Sequence, residues 1–190
     1  MTASEVVEAV KSKFGDSVRE TVEFRGEHTV VVDPEVGKKV LKYCHDELAF
    51  DCLVDLSSLD HFGEDPRFEM VYELYSYSTK SHFRVRFPVS EDEGKVETVS
   101  DIWATADWHE REVYDMMGLL FDGHPDLRRI LMWDGYPFYP LRKDFPLAGR
   151  ESDLPDVAFT GQAPLAGGPF VTSPSSASTV KREPRSREID

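Results

Sequence analysis

The sequence predicts an α+β domain in which helices pack on a mainly antiparallel sheet, followed by a helix-turn segment and an extended C-terminal tail. Apolar residues recur at helical spacing in two stretches before residue 50, and they alternate with polar residues in two stretches between residues 68 and 89. Prolines interrupt every pattern after Gly149. We therefore divide the 190 residues into an N-terminal α+β domain (1–96), a central segment (97–149) and a C-terminal arm (150–190).

The first half of the N-terminal domain is predicted to hold two helices separated by a pair of strands. An amphipathic helix is expected at Ser4–Gly15, and strands are expected at Val18–Phe24 and His28–Val32, joined around Gly26. Pro34 suits the first turn of a second helix that runs to Asp46, because proline presets the helical φ angle there. The residues expected on the buried faces of the two helices are Val6, Val7, Val10, Phe14, Val36, Val40, Leu41 and Cys44.

The second half of this domain is predicted to be three strands. Phe50–Leu59 is mostly apolar, which is typical of a well-buried strand. Phe68–Tyr77 and His82–Val89 alternate around a Ser-Thr-Lys turn, and this pattern predicts an antiparallel hairpin. Charged side chains on the outer face of the hairpin are expected to pair across the strands, as a solvated sheet face rather than a binding site. They are Glu69, Glu73, Arg84 and Arg86.

One clear helix is predicted in the central segment, from Trp108 to Met117. Asp107 and Glu110 have the spacing of a capping box, and Gly118 is placed to end the helix in the left-handed conformation. Arg111 and Asp115 lie four residues apart, at the spacing of an ion pair. With Glu112 they form the side opposite the core; we interpret that side as a solvated or docking face rather than an acid–base site. The core side is expected to carry His109, Val113, Met116 and Met117.

Beyond the helix, Gly123 and the His124-Pro125 pair predict a turn, after which burial resumes at helical spacing. The residues expected to resume it are Leu127, Ile130 and Leu131. Positive charge is concentrated here in a chain that is otherwise acidic, on Arg128, Arg129, Arg142 and Lys143. Such side chains grip carboxylates of the same chain or of a partner. We favour ion pairs inside an assembly over an anion-binding pocket.

The overall charge and composition exclude several classes of protein. A net charge of −14 is unsuited to nucleic acid and to direct adsorption on an anionic membrane. The N-terminus carries Glu5 and Glu8 and has no apolar core, so no signal peptide is predicted, and no apolar stretch approaches the roughly 20 residues of a membrane span. We expect a cytoplasmic protein that contacts a membrane only through a partner. Its two cysteines, Cys44 and Cys52, are expected to be buried thiols.

The central segment closely resembles the signature of the C subunit of NADH:quinone oxidoreductase, the respiratory complex I. The resemblance is carried by the run Glu110–Gly118, by Phe121, by the run His124–Leu131 and by Pro140–Pro146. It is strong from about residue 97 to residue 149 and weaker before that. The residues we assign to this inter-subunit or structural signature are Glu110, Arg111, Glu112, Asp115, Gly118, Phe121, His124, Pro125, Leu127, Arg128, Arg129, Arg142, Lys143 and Asp144.

The resemblance implies a non-catalytic structural subunit of the peripheral, quinone-module arm of a proton-translocating complex, on the cytoplasmic face of the cell membrane. In this family FMN, the iron–sulfur clusters and the quinone pocket belong to other subunits, and the neighbour is chiefly the D subunit, with the B and I subunits close by. The C-terminal extension of the family typically crosses a neighbouring subunit. Composition alone fits either a disordered tail or such an arm from Thr172 onward.

The residues independently argue that the chain carries no catalytic, cofactor or metal site. Two cysteines are too few for a four-thiolate cluster, and no glycine-rich phosphate loop is present. The six histidines show no paired ligand spacing of the H-x-x-x-H kind. We therefore expect the function to be positional: the 110–115 helix and the 124–131 turn form a rigid surface, here called the platform. Arg128→Ala or Asp115→Ala is predicted to lower complex assembly more than turnover of assembled complex.

Two other functions stay open on the sequence alone. Equivalent scaffold subunits serve membrane-bound hydrogenases and dehydrogenases that take electrons from F420H2 or ferredoxin, and the electron-input module that separates these machines lies in other chains. A hypothesis from a different class is a stand-alone enzyme that uses Glu110, Asp115 and His124 in metal-assisted hydrolysis. That hypothesis requires the three side chains to converge on one point.

Overall fold

The computed structural model describes residues 2–147, so the predicted C-terminal arm (150–190) lies outside the described residues. A five-stranded sheet carries the N-terminal domain, in the order β1-β2-β5-β4-β3. Short 3-10 turns occur at Gly15–Ser17 and Pro34–Val36. The helices and strands are α1 Ala3–Phe14, β1 Val18–Phe24, β2 Glu27–Val32, α2 Gly37–Asp46, β3 Cys52–Asp60, β4 Phe68–Ser76, β5 Ser81–Val89, β6 Lys95–Glu97, α3 Ala106–Met117 and β7 Leu120–Asp122.

The sheet is mainly antiparallel, as predicted. The pairs β1–β2, β3–β4 and β4–β5 are antiparallel, and only the pair β2–β5 of this sheet is parallel. Helices α1 and α2 pack on one face of it, against β2 and β5. A second small sheet joins β6 and β7 in parallel, and it ties the start of the central segment to its middle. The predicted α+β fold is therefore confirmed; the division at residues 96 and 97 into separate regions stays a prediction.

The N-terminal elements form where the periodicity placed them. Helix α1 begins at a capping box, in which the Thr2 N–H donates to Glu5 Oε2 at 2.7 Å and the Glu5 N–H donates to the Thr2 hydroxyl. Pro34 opens a 3-10 turn directly before α2 rather than the α-helix itself. The predicted inner-face residues are buried, apart from Phe14 and Val36, which pack partly buried against the core.

The β4–β5 hairpin presents the predicted ladder of charges on the outer face of the sheet. Arg84 Nε lies 2.7 Å from Glu73 Oε2, and its Nη2 lies 3.1 Å from Glu27 Oε2. Arg86 pairs with Glu69. Glu69 is buried, whereas Glu73, Arg84 and Arg86 remain partly exposed, and each cross-strand pair stabilises the fold by about 0.2–1 kcal/mol. The cross-strand prediction is confirmed.

The expectation that Phe50–Leu59 is a well-buried strand is wrong. β3 is an edge strand, and Val54 and Leu59 expose 46% and 43% of their surface. The pairing of β3 with β4 shifts between Leu53 and Asp55, which marks a bulge or irregularity and interrupts the alternation of side chains there. These side chains are exposed because β3 lies at the edge of the sheet, and an apolar run in the sequence does not indicate whether a strand is central or at the edge. The thiol of Cys44 is buried as predicted, whereas Cys52 at the start of β3 is only half-buried.

The predicted helix of the central segment exists, but its start differs. α3 begins at Ala106 after Thr105, which caps it with no side-chain hydrogen bond, so the capping box of Asp107 and Glu110 is wrong. Glu110 instead turns into the core, where buried donors satisfy its carboxylate. Gly118 ends the helix with φ 76°, as predicted. None of the helices between residues 2 and 147 is long and apolar enough to span a membrane.

The chain that follows β7 is irregular up to Leu147, and we call residues 124–147 the anchored segment. The expectation that helical burial resumes here is wrong: Leu127 and Ile130 are half-buried, and Leu131 exposes 61% of its surface. The backbone N–H groups of residues 130–132 point at a carboxylate on α3 instead of at carbonyls one turn back. Side chains, rather than a regular backbone ladder, hold this segment.

Candidate functional site

Asp115 on α3 is the main anchor of the anchored segment. Its fully buried carboxylate accepts three backbone N–H groups through Oδ2, from Ile130 at 3.0 Å, Leu131 at 2.7 Å and Met132 at 2.8 Å. Arg129 Nη1 lies 2.5 Å from Oδ1. Burial alone raises the pKa of this carboxyl, but the N–H donors and Arg129 outweigh burial and lower the pKa below its usual range. Asp115 is therefore a charged, fully bonded tether.

Arg111 holds the same segment from the neighbouring turn of α3. Its Nε donates to the carbonyl of Arg128 at 3.1 Å, and its Nη2 donates to the carbonyl of Arg129 at 3.2 Å. Its guanidinium also lies 5.2 Å from the ring centroid of Trp108. The predicted ion pair between Arg111 and Asp115 is wrong, because the anchored segment covers this side of the helix and gives each side chain other partners. Of this predicted face only Glu112 is exposed; Arg111 and Asp115 are buried, so the expectation of a solvated face is wrong for them.

Arg142 closes the C-terminal end of α3. Its Nε donates to the carbonyl of Met117 at 2.6 Å, one of the carbonyls that a helix end leaves without a partner. The guanidinium lies 4.6 Å from the ring centroid of Tyr139, over which Arg129 also lies, at 5.2 Å. A Cβ atom on Gly118 would come within 2.7 Å of both Arg142 and Tyr139. Gly118 therefore serves both the left-handed turn and this close approach.

Arg67, which the sequence analysis did not single out, binds three carboxylates. It contacts Asp60 through two bonds of 2.8 and 3.0 Å, Glu91 at 2.6 Å and Asp144 at 2.7 Å. The Lys143 N–H adds a bond of 2.7 Å to Asp60. Hydrogen bonding to Arg67 lowers the pKa of Asp60 and of Asp144. Asp144 lies 77 residues from Arg67 in the chain, so no local spacing could have indicated this hub.

A second buried cluster surrounds Glu110. Its carboxylate accepts the Val99 N–H at 2.7 Å and the Thr98 hydroxyl at 2.5 Å, and His124 Nε2 lies 3.9 Å away. His124 Nδ1 accepts the Asp126 N–H at 3.0 Å, which assigns its proton to Nε2. Burial raises the pKa of Glu110, although the two donors partly offset it. This cluster joins the core of the domain to the first turn of the anchored segment.

The remaining predicted site residues are spread over the surface and the core. Phe121 is buried in β7, Pro125 is exposed in the turn, and Arg128 is 67% exposed and pairs with Asp126 at 2.8 Å. Lys143 is also exposed. Of the four cations predicted to cluster, Arg129 and Arg142 are brought together, on the ring of Tyr139.

The metal-assisted hydrolysis hypothesis requires Glu110, Asp115 and His124 to converge. Glu110 and His124 do lie close together, but Asp115 is saturated by Arg129 and by the backbone of residues 130–132. Over residues 2–147, no group of three or more His, Cys, Asp or Glu side chains is arranged to hold a metal ion. The geometry therefore describes structural tethers rather than the site that this hypothesis needs.

The buried Glu110 carboxyl predicts an unusual pH dependence of stability. Because its pKa is raised on folding, the folded chain keeps a proton that the unfolded chain releases, so its contribution to stability falls as the pH rises above about 4.5. As the pH rises above about 4.5, we expect the unfolding free energy of Glu110→Gln, measured by urea denaturation, to fall less than that of the unmodified chain. Glu112→Gln, an exposed change on the same helix, is the control and should follow the unmodified chain. Parallel curves for all three proteins would contradict this prediction.

Comparisons with known proteins identify the family of this chain. The family described as the respiratory-chain NADH dehydrogenase 30 Kd subunit matches residues 30–151. The C subunit of the NADH-quinone oxidoreductase of Geotalea uraniireducens (strain Rf4) is 45% identical over 144 residues, which cover 76% of this chain and 88% of that protein. The chain is therefore a subunit of the respiratory NADH dehydrogenase class. Within that class it belongs to the 30 kDa subunit family, the family of the C subunits of the bacterial NADH-quinone oxidoreductases.

Solved structures agree with this assignment. Nqo5, as a trypsin-resistant fragment (1–134), is 33% identical and has a TM-score of 0.60, covering 67% of this chain and 100% of the fragment. A chain of the membrane-bound sulfane sulfur reductase, an archaeal respiratory membrane complex, has a TM-score of 0.66 at 24% identity, covering 77% of this chain and 87% of that one. The second likeness shows the fold alone. The resemblance read from the sequence is confirmed.

Proposed function

We propose that this chain is a non-catalytic structural subunit of the peripheral, quinone-module arm of a proton-translocating NADH:quinone oxidoreductase. It would lie on the cytoplasmic face of the membrane and hold cofactor-bearing subunits in register for electron transfer from NADH to quinone. FMN and the iron–sulfur clusters would belong to those partners. The observation that carries the proposal is the anchoring of an irregular surface segment by buried or half-buried charges whose partners lie within this chain.

Buried charges suit a positional role for a physical reason. An irregular segment has no backbone ladder of its own and would sample many conformations. Tethers at Asp115, Arg142 and Arg67 restrict residues 124–147 at several separate points and leave their outer surface available. Each tether is satisfied before any partner binds, so a neighbour meets a preorganised surface and loses less entropy on docking.

The neighbour we propose is chiefly the D subunit of the complex, with the B and I subunits close by, and the arm of residues 150–190 would run along one of them. The same fold in an archaeal sulfane sulfur reductase complex is compatible with an equivalent scaffold in a hydrogenase or in an F420H2- or ferredoxin-dependent dehydrogenase. The 45% identity to the C subunit of an NADH-quinone oxidoreductase favours the first assembly.

Purification of the complex tests this function directly. A tagged copy of the full chain, recovered from solubilised membranes, is expected to bring the D, B and I subunits with it. The chain purified alone should contain no stoichiometric flavin, cluster or metal and should turn over no substrate. Stoichiometric cofactor and turnover in the isolated chain would refute the proposal.

The exposed ring of Trp108, beside the platform, is where we expect a neighbouring subunit to dock. It is 61% exposed, and Arg111 beneath it is 8% exposed and already tethered, so the ring stands on a rigid base. We expect Trp108→Ala to cost about 2 kcal/mol of association, as aromatic anchors at interfaces do, seen as a lower yield of assembled complex from native gels.

Phe24 offers a matched control for Trp108. Its side chain is 64% exposed, and its ring centroid lies 5.1 Å from the guanidinium of Arg25. Phe24 belongs to β1, the edge strand opposite β3. Phe24→Ala should assemble normally. Equal losses of complex from both variants would argue against a docking role for Trp108.

A further inference from the structure

A groove of about 520 Å³ lies between the turn that leads into α2, the end of β5 and the β6–β7 pair. Neither the tethers nor the platform line it. Its apolar walls are made of residues from α2, from the main sheet, and from β6 and the residues that directly follow it. They include Leu41, Tyr72, Phe87, Val96 and Val99.

The rim of this groove carries an excess of negative charge. Two of its cations are already neutralised, because Arg19 pairs with Asp33 and Lys38 lies 3.0 Å from Asp101. Lys95 is the remaining cation of the lining. Four exposed carboxylates also line the groove, and they form no ion pair with any residue between 2 and 147. They are Glu35, Glu93, Glu97 and Asp122.

An unsatisfied hydroxyl lies within the same lining. Tyr72 is fully buried, and its hydroxyl has no hydrogen-bond partner within the described part of the chain. Leaving such a group without a partner costs about 1–3 kcal/mol. Burial and the nearby carboxylate of Glu110 both raise the pKa of Tyr72, so the phenol stays neutral and its oxygen can accept a hydrogen bond. Glu110 itself is bonded to the N–H of Val99, which lines the groove.

We propose that this groove receives an arginine or lysine side chain, flanked by apolar residues, from a neighbouring subunit of the complex. This inference rests on the proposed function, since it needs an assembly. The apolar stem of such a side chain would lie against Leu41 and Phe87, and its N–H groups would bond to the rim carboxylates. The Tyr72 hydroxyl is closed to solvent in the isolated chain, so docking would have to open the groove before this oxygen accepts a hydrogen bond. The groove, at about 520 Å³, is large enough for one cationic side chain.

Two variants test the proposal in the full chain within its complex. Glu97→Lys reverses one rim charge and should lower the yield of assembled complex about tenfold. Tyr72→Phe removes only the buried hydroxyl and should lower that yield about threefold. It should leave the melting temperature of the isolated chain unchanged or higher, because the unsatisfied group is gone. Glu23→Lys, at another exposed strand glutamate outside the groove, is the control and should assemble normally.

A photoreactive side chain at position 97 identifies the occupant. We expect its adduct on an arginine- or lysine-bearing segment of a partner subunit. An adduct on residues 148–190 of this chain, or on a second copy, overturns the proposal, and so does normal assembly of both groove variants. Each of these three results leaves the proposed function unaffected. Failure of the unmodified chain to co-purify with any complex would instead refute the proposed function itself.

Discussion

Replacing Arg67 with alanine is expected to lower the unfolding free energy by about 3–5 kcal/mol, because it leaves the buried carboxylate of Asp60 without its counter-charge. The side chains of Arg67 and Asp60 are 7% and 2% exposed, so water cannot take over the lost bonds. The loss also frees Asp144 and weakens the attachment of the end of the anchored segment to the sheet, where the bond from the Lys143 N–H to Asp60 remains. Urea denaturation followed by circular dichroism measures the first effect, and proteolysis near residue 144 measures the second.

Arg84 is a matched control for Arg67. It also binds two carboxylates, Glu73 and Glu27, but its side chain is 33% exposed on the open face of the sheet. Arg84→Ala should therefore cost no more than about 1 kcal/mol. The double variant Arg67→Ala/Asp60→Ala should lose less than the sum of the two single variants, since it removes both charges together. Strict additivity would show that the pair is not coupled.

The same hub predicts how the chain responds to acid. The pKa values of Asp60 and Asp144 are lowered on folding, so these carboxyls contribute stability above the ordinary aspartate pKa and lose that contribution as the pH falls through their folded values. This is opposite in sign to Glu110, whose contribution falls as the pH rises. Removal of Arg67 should flatten the acid limb of the stability curve.

Asp115→Ala is expected to produce the second large effect, and a more local one. It leaves three backbone N–H groups and Arg129, whose side chain is only 10% exposed, without their carboxylate. The penalty for an unpaired buried charge is about 3–5 kcal/mol, and the anchored segment avoids it by detaching from α3. Hydrogen exchange of residues 124–147 should therefore accelerate strongly, while β4 and β5 keep most of their protection.

In the complex, Asp115→Ala should lower assembly more than turnover per assembled complex, because a detached segment no longer offers a preorganised surface. Arg128→Ala is the control for the folding of the segment: its ion pair with Asp126 is exposed on both sides, and its loss should leave hydrogen exchange unchanged. Fully assembled complexes that have lost turnover would contradict the positional role.

The elements that the sequence predicted correctly are those with local causes. Helical spacing located α1 and α2, alternation located the β4–β5 hairpin, and Gly118 ended α3. Two of the errors concern which surface of an element is covered, and two concern where a helix begins or whether one forms: the capping box of Asp107 and Glu110 is absent, and residues 127–131 are irregular. Leu59 is exposed because β3 is an edge strand, and the face of Arg111 is buried because a later segment lies on it.

The sequence by itself determined the fold class and the family. Periodicity and turn chemistry indicate the fold class, an ordered run of motif residues indicates the family, and all of these can be read along the chain. Only the tertiary structure decided that Asp115 binds the backbone of residues 130–132, that Arg67 joins Asp60 to Asp144, and that Tyr72 lies unsatisfied in an acidic groove. The physical reason is that a buried charge is stable only with a partner. The partner is whichever group lies close by in the folded chain, and the spacing of residues along the sequence does not indicate which group that is.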